Sequence, residues 1–338
     1  MKTMRKIFKP SVVLVLVCVL AMLIVPGSIN NYMLGVVNIG LIYAIASFGL
    51  SIMLGMGGQV SFAGLTFMGV GCYFVGIACT SRLGFYLHPI AAILFGAIIA
   101  GVLAYLLGLV LMKLKGTYFT FATIALVQVA WSFYQNYAPL FGGAGGISIS
   151  DELRFGGFTF SRMDAVSWFY LLVVVVALVA LFVERIRATK LGRSLASVRD
   201  NDTAALTLGV NVYKTKVIAF SIAGLLAGLA GGLYALNIGF ISSDMFNYER
   251  STLVLIITMI GGVNSAFGII LGALLINVLP EFLRDFPTIS RYLQLIYGLA
   301  VIVMMIFMPM GLAGAVGDLW KKLVRKLTKG TAVKEVSK

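Results

Sequence analysis

The sequence predicts an all-α protein that crosses a membrane many times. Of its 338 residues, 60% are hydrophobic and only 11% are charged, and its mean hydropathy is +1.03. A soluble domain of this length needs a charge-rich shell, which 11% charge cannot provide. The apolar residues fall in long runs, and a helix of about 20 residues crosses a bilayer. Lipid is therefore the predicted solvent for most of the chain.

The positive charge points to orientation in a membrane rather than to nucleic-acid binding. The net charge is +14, and the basic residues lie at the ends of the apolar runs. Such a placement is typical of the loops of membrane proteins, which carry Lys and Arg on the cytoplasmic side.

The first apolar run follows a basic start and looks like a secretory signal. No small-x-small cleavage pattern follows it, since Val25-Pro26 stands where the cut would fall. The sequence favours an uncleaved first span over a removed leader.

Ten spans are predicted, with both termini in the cytoplasm. This count reads 251–279 as two short helices that meet at Gly261-Gly262, and it places 20 of the 26 basic residues inside and six outside. One unbroken helix there would put the basic C-terminal tail outside. The predicted runs are 11–26, 32–54, 60–80, 89–112, 117–135, 166–183, 217–238, the two halves of 251–279, and 291–309. They form one permease domain, 1–320, with a cytoplasmic loop at 184–216 and a basic tail at 321–338.

The longest outer loop, 135–165, is rich in glycine. Tight turns account for these glycines, and a re-entrant piece facing the solute is the alternative.

The chemistry of enzymes is missing from the sequence. No Gly-Lys dipeptide occurs, so there is no P-loop for ATP. His88 is the single histidine, and the three cysteines fall in apolar stretches, so neither a metal site nor a Ser–His–Asp set is predicted. No span core carries a charge, which disfavours a proton relay. Energy is expected to enter from another subunit, and this chain is expected to bind no cofactor.

The candidate solute path consists of helix-breaking glycines and nearby polar side chains inside apolar runs. These residues are Gly57, Gly58, Gln59, Ser61, Gln128, Gly261 and Gly262.

The loop between the spans 166–183 and 217–238 encodes a short helix. Asp200-Asn201-Asp202 offers capping side chains, "TAALTL" follows, and Gly209 stands where a left-handed C-cap belongs. The predicted apolar face shows Ala204, Ala205 and Leu208. Three interpretations remain open: an ordinary basic loop, a helix lying in the headgroup layer, or a helix that docks into another protein.

Several blocks resemble the ABC-importer permeases of the branched-chain amino acid (LivM-type) family. "GRSLASVRDNDTAALTLGVNVYKTK" is similar to the loop and coupling helix of these permeases. "LGMGGQVSFAGLTFMGVGCYF", "GTYFTFATIALVQV", "GGAGGI", "GGVNSAFGIILGALL" and "PMGLAG" resemble further blocks in the same order. The resemblance implies that Ala204, Ala205 and Gly209 occupy the coupling helix, with Arg199 and Asp202 flanking it. Leu208 is included among the coupling residues because the helix pattern places it on the apolar face.

The resemblance also implies the partners and the solute. The expected partners are a second homologous permease in a heterodimer, two ABC ATPase subunits that hold ATP and Mg²⁺, and a periplasmic or lipid-anchored binding protein. The expected location is the bacterial inner membrane, and the expected solutes are leucine, isoleucine and valine. Urea, short amides or sugars are the alternatives within the class. A sodium-coupled carrier or channel that acts alone is the alternative outside it.

Overall fold

The computed structural model describes residues 22, 25–27, 29–80, 82, 84, 86–114, 116–155, 158–284, 291–292, 295–299 and 302–303. This part of the chain is mostly helical, as predicted. The predicted first span 11–26 lies largely outside the described residues, the last span 291–309 lies about half outside them, and the tail 321–338 lies wholly outside them. The count of ten spans and the positions of the termini therefore stay predictions.

The helices alternate with short connections and two small strand pairs. The helices are α1 Asn31–Ser51, α2 Gly64–Cys79, α3 Pro89–Leu111, α4 Thr117–Asn136, α5 Ala138–Phe141, α6 Ala165–Ala188, α7 Lys190–Asp200, α8 Asp202–Thr207, α9 Val212–Ile238, α10 Tyr248–Gly261 and α11 Ala266–Phe282. The strands are β1 Ile147–Ser148, β2 Leu153–Phe155, β3 Phe158–Phe160 and β4 Phe240–Ile241.

Four helices in the described residues are long and apolar enough to cross a bilayer. They are α1 with its π-helical extension to Met56, then α3, α6 and α9. Their bounds lie within about five residues of the predicted runs, and α4 coincides with the predicted run 117–135 to within one residue. The chain is a multi-pass helical membrane protein.

The central helix is α9, which packs against α1, α2 and α3 through small residues. A Cβ on Gly231 would stand 1.9 Å from the carbonyl oxygen of Met68 on α2, and one on Gly228 would stand 2.4 Å from the Cβ of Ala100 on α3. Lipid gives helices no hydrophobic reason to associate, so such close backbone contact supplies the packing energy. Any side chain at Gly231 would push α2 and α9 apart.

The break predicted in 251–279 is confirmed. The helices α10 and α11 form a hairpin whose turn uses Gly262 at φ 100°. A Cβ on Gly261 would stand 2.4 Å from the carbonyl oxygen of Gly268, so the two helices touch where the hairpin closes. The 14 residues of α10 rise only about 21 Å at 1.5 Å per residue, less than the hydrocarbon core of a bilayer.

Tight turns explain the glycines of the outer loop, as predicted. Gly142, Gly143 and Gly146 all have positive φ, at 78°, 59° and 68°. The loop also contains strands that were not predicted: β1 pairs antiparallel with β4, and β2 with β3.

Candidate coupling surface and solute path

The short helix of the charged loop is α8, and both of its ends are capped as the sequence predicts. The side chain of Asn201 accepts hydrogen bonds from the N–H groups of Thr203 and Ala204, at 2.9 and 3.1 Å. At the other end Gly209 has φ 80°. Its N–H donates to Leu206 O and the N–H of Val210 donates to Ala205 O, both at 3.0 Å, which is the Schellman pattern.

The predicted apolar face of α8 is wrong in one respect. Ala205 is fully buried against Val198 of α7 and Val212 of α9, with Val210 packed beside it. Ala204, about 100° around the helix from Ala205, is exposed. Ala205 thus belongs to a small core that holds the loop together, and it is not part of a docking face.

Two leucines are exposed on the flanks of α8. The side chains of Leu206 and Leu208 are 58% and 78% exposed, Ala204 is exposed beside Leu208, and the threonines of the helix are exposed between the two flanks. A headgroup-layer helix would carry Lys, Arg or aromatic residues, and α8 carries none. Exposed leucines on a rigid helix in a charged loop favour a surface for another protein.

The loop is tied to the membrane helices by its charged residues. Asp202, the first residue of α8, pairs with Lys216 of α9. Arg199 of α7 donates to Gly55 O at 2.8 Å and also pairs with the adjacent Asp200. The two residues that the resemblance placed beside the coupling helix therefore anchor it to α9 and α1.

Residues 57–63 are not helical, although the sequence predicts a span that starts at residue 60. α2 begins only at Gly64. The backbone of this unwound segment is held by hydroxyl groups from other helices. Thr120 Oγ1 donates to Val60 O at 3.2 Å, Phe62 N donates to Thr123 Oγ1 at 3.2 Å, and Ser251 Oγ donates to Phe62 O. Irregular backbone at membrane depth requires such partners.

The unwound segment rises from the loop end of α1 to about the middle of that helix. Ser47 Oγ donates to Val254 O at 3.5 Å, so Ser251, one turn earlier on α10, lies near the midpoint of the 26-residue helix Asn31–Met56. Phe62, which accepts from Ser251, therefore lies near the middle of α1 on a stretch of chain that is not helical.

The predicted path residues fall into separate places. Ser61 is buried in the unwound segment and Gln59 is partly buried there. Gly57 and Gly58 lie against Leu195 and Arg199 of α7. Gly261 and Gly262 close the α10–α11 hairpin, and Gln128 is exposed on α4. The structure brings Gly57 and Gly58 to the coupling loop, and it places Gln128 on a different surface.

The sequence reasoning missed the hydroxyl groups. Thr120, Thr123 and Ser251 carry no charge and sit inside apolar runs, so they were passed over. The signal was available in the three-residue spacing of Thr120 and Thr123, which puts both hydroxyls on one face of α4.

A polytopic helical protein with a broken span and a capped helix in a charged loop fits the class of transporter permeases. The sequence matches the family described as branched-chain amino acid transport system, permease component, over residues 32–308. The chain therefore belongs to that family.

Individual relatives agree with the family match. The chain is 31% identical over 310 residues to the high-affinity branched-chain amino acid permease LivM of Escherichia coli, covering 85% of this chain and 71% of the relative. A probable LivM of Methanocaldococcus jannaschii is 24% identical over 66% of this chain and 68% of its own length. The fructose import permease FrcC of Rhizobium meliloti is 34% identical over 45% of this chain and 43% of its own. No solved structure matches the chain.

Proposed function

We propose that this chain is a permease subunit of an ATP-driven importer of branched-chain amino acids, and that α8 is its docking element for an ATPase subunit. The observation that carries the proposal is the pair of outward leucines, Leu206 and Leu208, on a helix whose caps and buried Ala205 hold it rigid. A rigid helix with apolar anchors suits a groove on a partner protein.

The solute path would run along the unwound segment. In transporters, solute sites lie near the bilayer midplane where helices are interrupted, because the freed backbone groups can contact the solute. Gln59 and Ser61 belong to this segment, which reaches the midpoint of α1. A path without charged residues suits a zwitterion, whose two charges cancel, or a neutral solute.

The remaining subunits would complete the importer. A second homologous permease would form the other half of the path in a heterodimer, and two ATPase subunits would hold ATP and Mg²⁺. A periplasmic or lipid-anchored binding protein would select the solute. In this arrangement the chain lies in the bacterial inner membrane and has no catalytic role of its own.

Sugars are the second candidate solute, because relatives such as the fructose permease share part of the chain. The test is uptake by proteoliposomes that contain the chain and its partner subunits. Leucine, isoleucine, valine, urea, acetamide and fructose would be compared, with either ATP or a sodium gradient as the energy source. We expect ATP-dependent uptake of the three amino acids. ATP-driven uptake of fructose or urea alone would contradict the proposed branched-chain amino acid solutes. Sodium-driven uptake without ATP would contradict the proposal of an ATP-driven importer.

A further inference from the structure

In the last turn of α1, the carbonyl of Gly55 accepts a hydrogen bond from a residue that is distant in sequence. The end of α1 widens into the π-helix Ile52–Met56. The N–H groups of Gly57, Gly58 and Gln59 donate to Ile52, Leu54 and Met53, and so pass over Gly55. Arg199 Nη1 donates to Gly55 O at 2.8 Å. A helix end needs partners for its final carbonyls, and here a coupling-loop residue supplies one.

The contact between α7 and this turn is close because glycines line it. A Cβ on Gly58, which has φ 65°, would stand 2.7 Å from Arg199 Cγ. A Cβ on Gly57 would stand 3.4 Å from Leu195 Cδ2. The turn has no side chain at these two positions, so Leu195 and Arg199 of α7 pack directly against its backbone.

The same turn touches the α10–α11 hairpin on its other side. A Cβ on Gly55 would stand 2.3 Å from Val263 O, and 2.9 Å from the side chain of Asn264. Arg187 of α6 also binds this hairpin, because its Nη1 donates to Asn264 O at 2.8 Å. Gly55 therefore lies between the coupling loop and the hairpin, with backbone contact to both.

We propose that Arg199 is a positioning residue that transmits movement of the coupling loop to the unwound segment and the hairpin. This inference rests on the proposed function, because it needs an ATPase subunit to move α8. When α8 and α7 move together, the guanidinium would pull or release Gly55 O, and the turn would carry residues 57–63 with it. The pair with Asp200 contributes little, because Asp200 is 72% exposed and adjacent in sequence.

Packing alone is the competing explanation, and it makes a different prediction. If Arg199 only filled space, its loss would lower the amount of folded complex and leave the coupling of each complex intact. If it transmits movement, complexes would assemble and hydrolyse ATP but import less solute for each ATP. The ratio of solute imported to ATP hydrolysed separates the two.

The test uses the whole transporter in proteoliposomes, with leucine as the solute. For Arg199→Ala we expect ATPase subunits to remain bound and the imported solute per ATP to fall about tenfold, the effect of one lost charge-assisted hydrogen bond. Arg199→Lys keeps a charged donor and should recover part of the ratio. Arg193→Ala is the matched control, since Arg193 lies on the same helix and its side chain donates to Ala188 O, within its own loop.

A second variant approaches the contact from the other side. Gly58→Ala would push Arg199 away and should lower the same ratio without removing the arginine. An unchanged ratio in both Arg199→Ala and Gly58→Ala would overturn the proposal. Equal ratios in Arg199→Ala and Arg199→Lys with reduced complex yield would also overturn it, in favour of packing. If ATPase subunits fail to bind the unaltered chain, the proposed function itself fails, and Arg199 has no movement to transmit.

Discussion

Lys216 of α9 and Asp202 of α8 form an ion pair with 2.7 Å between Nζ and Oδ2. The side chain of Lys216 is only 14% exposed and that of Asp202 is 48% exposed. The pair joins the first residue of the short helix to the first turns of a 27-residue membrane helix. Together with the buried Ala205, it helps to orient α8 on the membrane helices.

Breaking this pair should loosen the loop. Because Asp202 is half exposed, we expect Lys216→Gln to lower the free energy of opening the loop by at most about 1 kcal/mol. Tryptic cleavage of the loop in inside-out vesicles should then be about fivefold faster. Lys214→Gln is the matched control, since that side chain is exposed and lies two residues away. Equal cleavage rates in the two variants would show that the pair does not hold α8.

The C-cap of α8 should depend on backbone conformation alone. Gly209 has φ 80°, and a Cβ built there meets nothing within 4 Å. Gly209→Val should lower the free energy of opening the loop by about 1–2 kcal/mol, because a β-branched residue disfavours positive φ. The rate of tryptic cleavage should then rise five- to thirtyfold. Asparagine adopts positive φ more readily, so Gly209→Asn should be cleaved at nearly the rate of the unaltered chain. Matching rates for Val and Asn would contradict this account of the cap.

Removing a hydroxyl group that binds the unwound segment should destabilise the segment and slow transport. Thr123→Val keeps the shape of the side chain but leaves the partly buried Phe62 N–H without its acceptor, a loss of about 1 kcal/mol, at the lower end of the range for a buried group. We expect slower solute uptake with the ATPase subunits still bound. Thr252→Val is the control, because its hydroxyl bonds only to carbonyls of its own helix. Equal initial uptake rates would remove Thr123 from the path.

The orientation in the membrane follows from the charge distribution and can be tested with impermeant thiol reagents. In a background without Cys18, Cys72 and Cys79, Ser150→Cys should react in intact cells. Lys190→Cys at the start of α7 should react only after permeabilisation. Both positions are exposed. Labelling of both sites in intact cells would contradict the ten-span prediction.

Local chemistry made part of this structure predictable. The cap at Gly209 and the break at Gly262 depend on positive φ, which glycine signals at the residue itself. The long apolar runs predicted α1, α3, α6 and α9 because membrane-spanning length is a property of one segment. The family resemblance rested on motif order, and the family match over residues 32–308 confirms it.

Contacts between distant segments were not predictable in the same way. Residues 60–63 are apolar enough to be predicted as part of a span, and hydroxyl groups from the distant helices α4 and α10 bind their backbone in an unwound form. The inward turn of Ala205 depends on Val198 and Val212, which flank it on separate helices. The short helix was predicted correctly, but its buried side is set by neighbours that its own sequence does not specify.

The central claim is that the outward leucines of α8 bind an ATPase subunit. The most direct measurement is the amount of ATPase that co-purifies with Leu208→Glu, compared with Leu114→Glu. Leu114 is also an exposed leucine on the predicted cytoplasmic side, between α3 and α4. We expect Leu208→Glu to reduce the bound ATPase about tenfold or more, as for a buried interface anchor, with the second permease still bound. The Leu114→Glu variant should co-purify with as much ATPase as the unaltered chain. Equal ATPase yields from the two variants would contradict the claim.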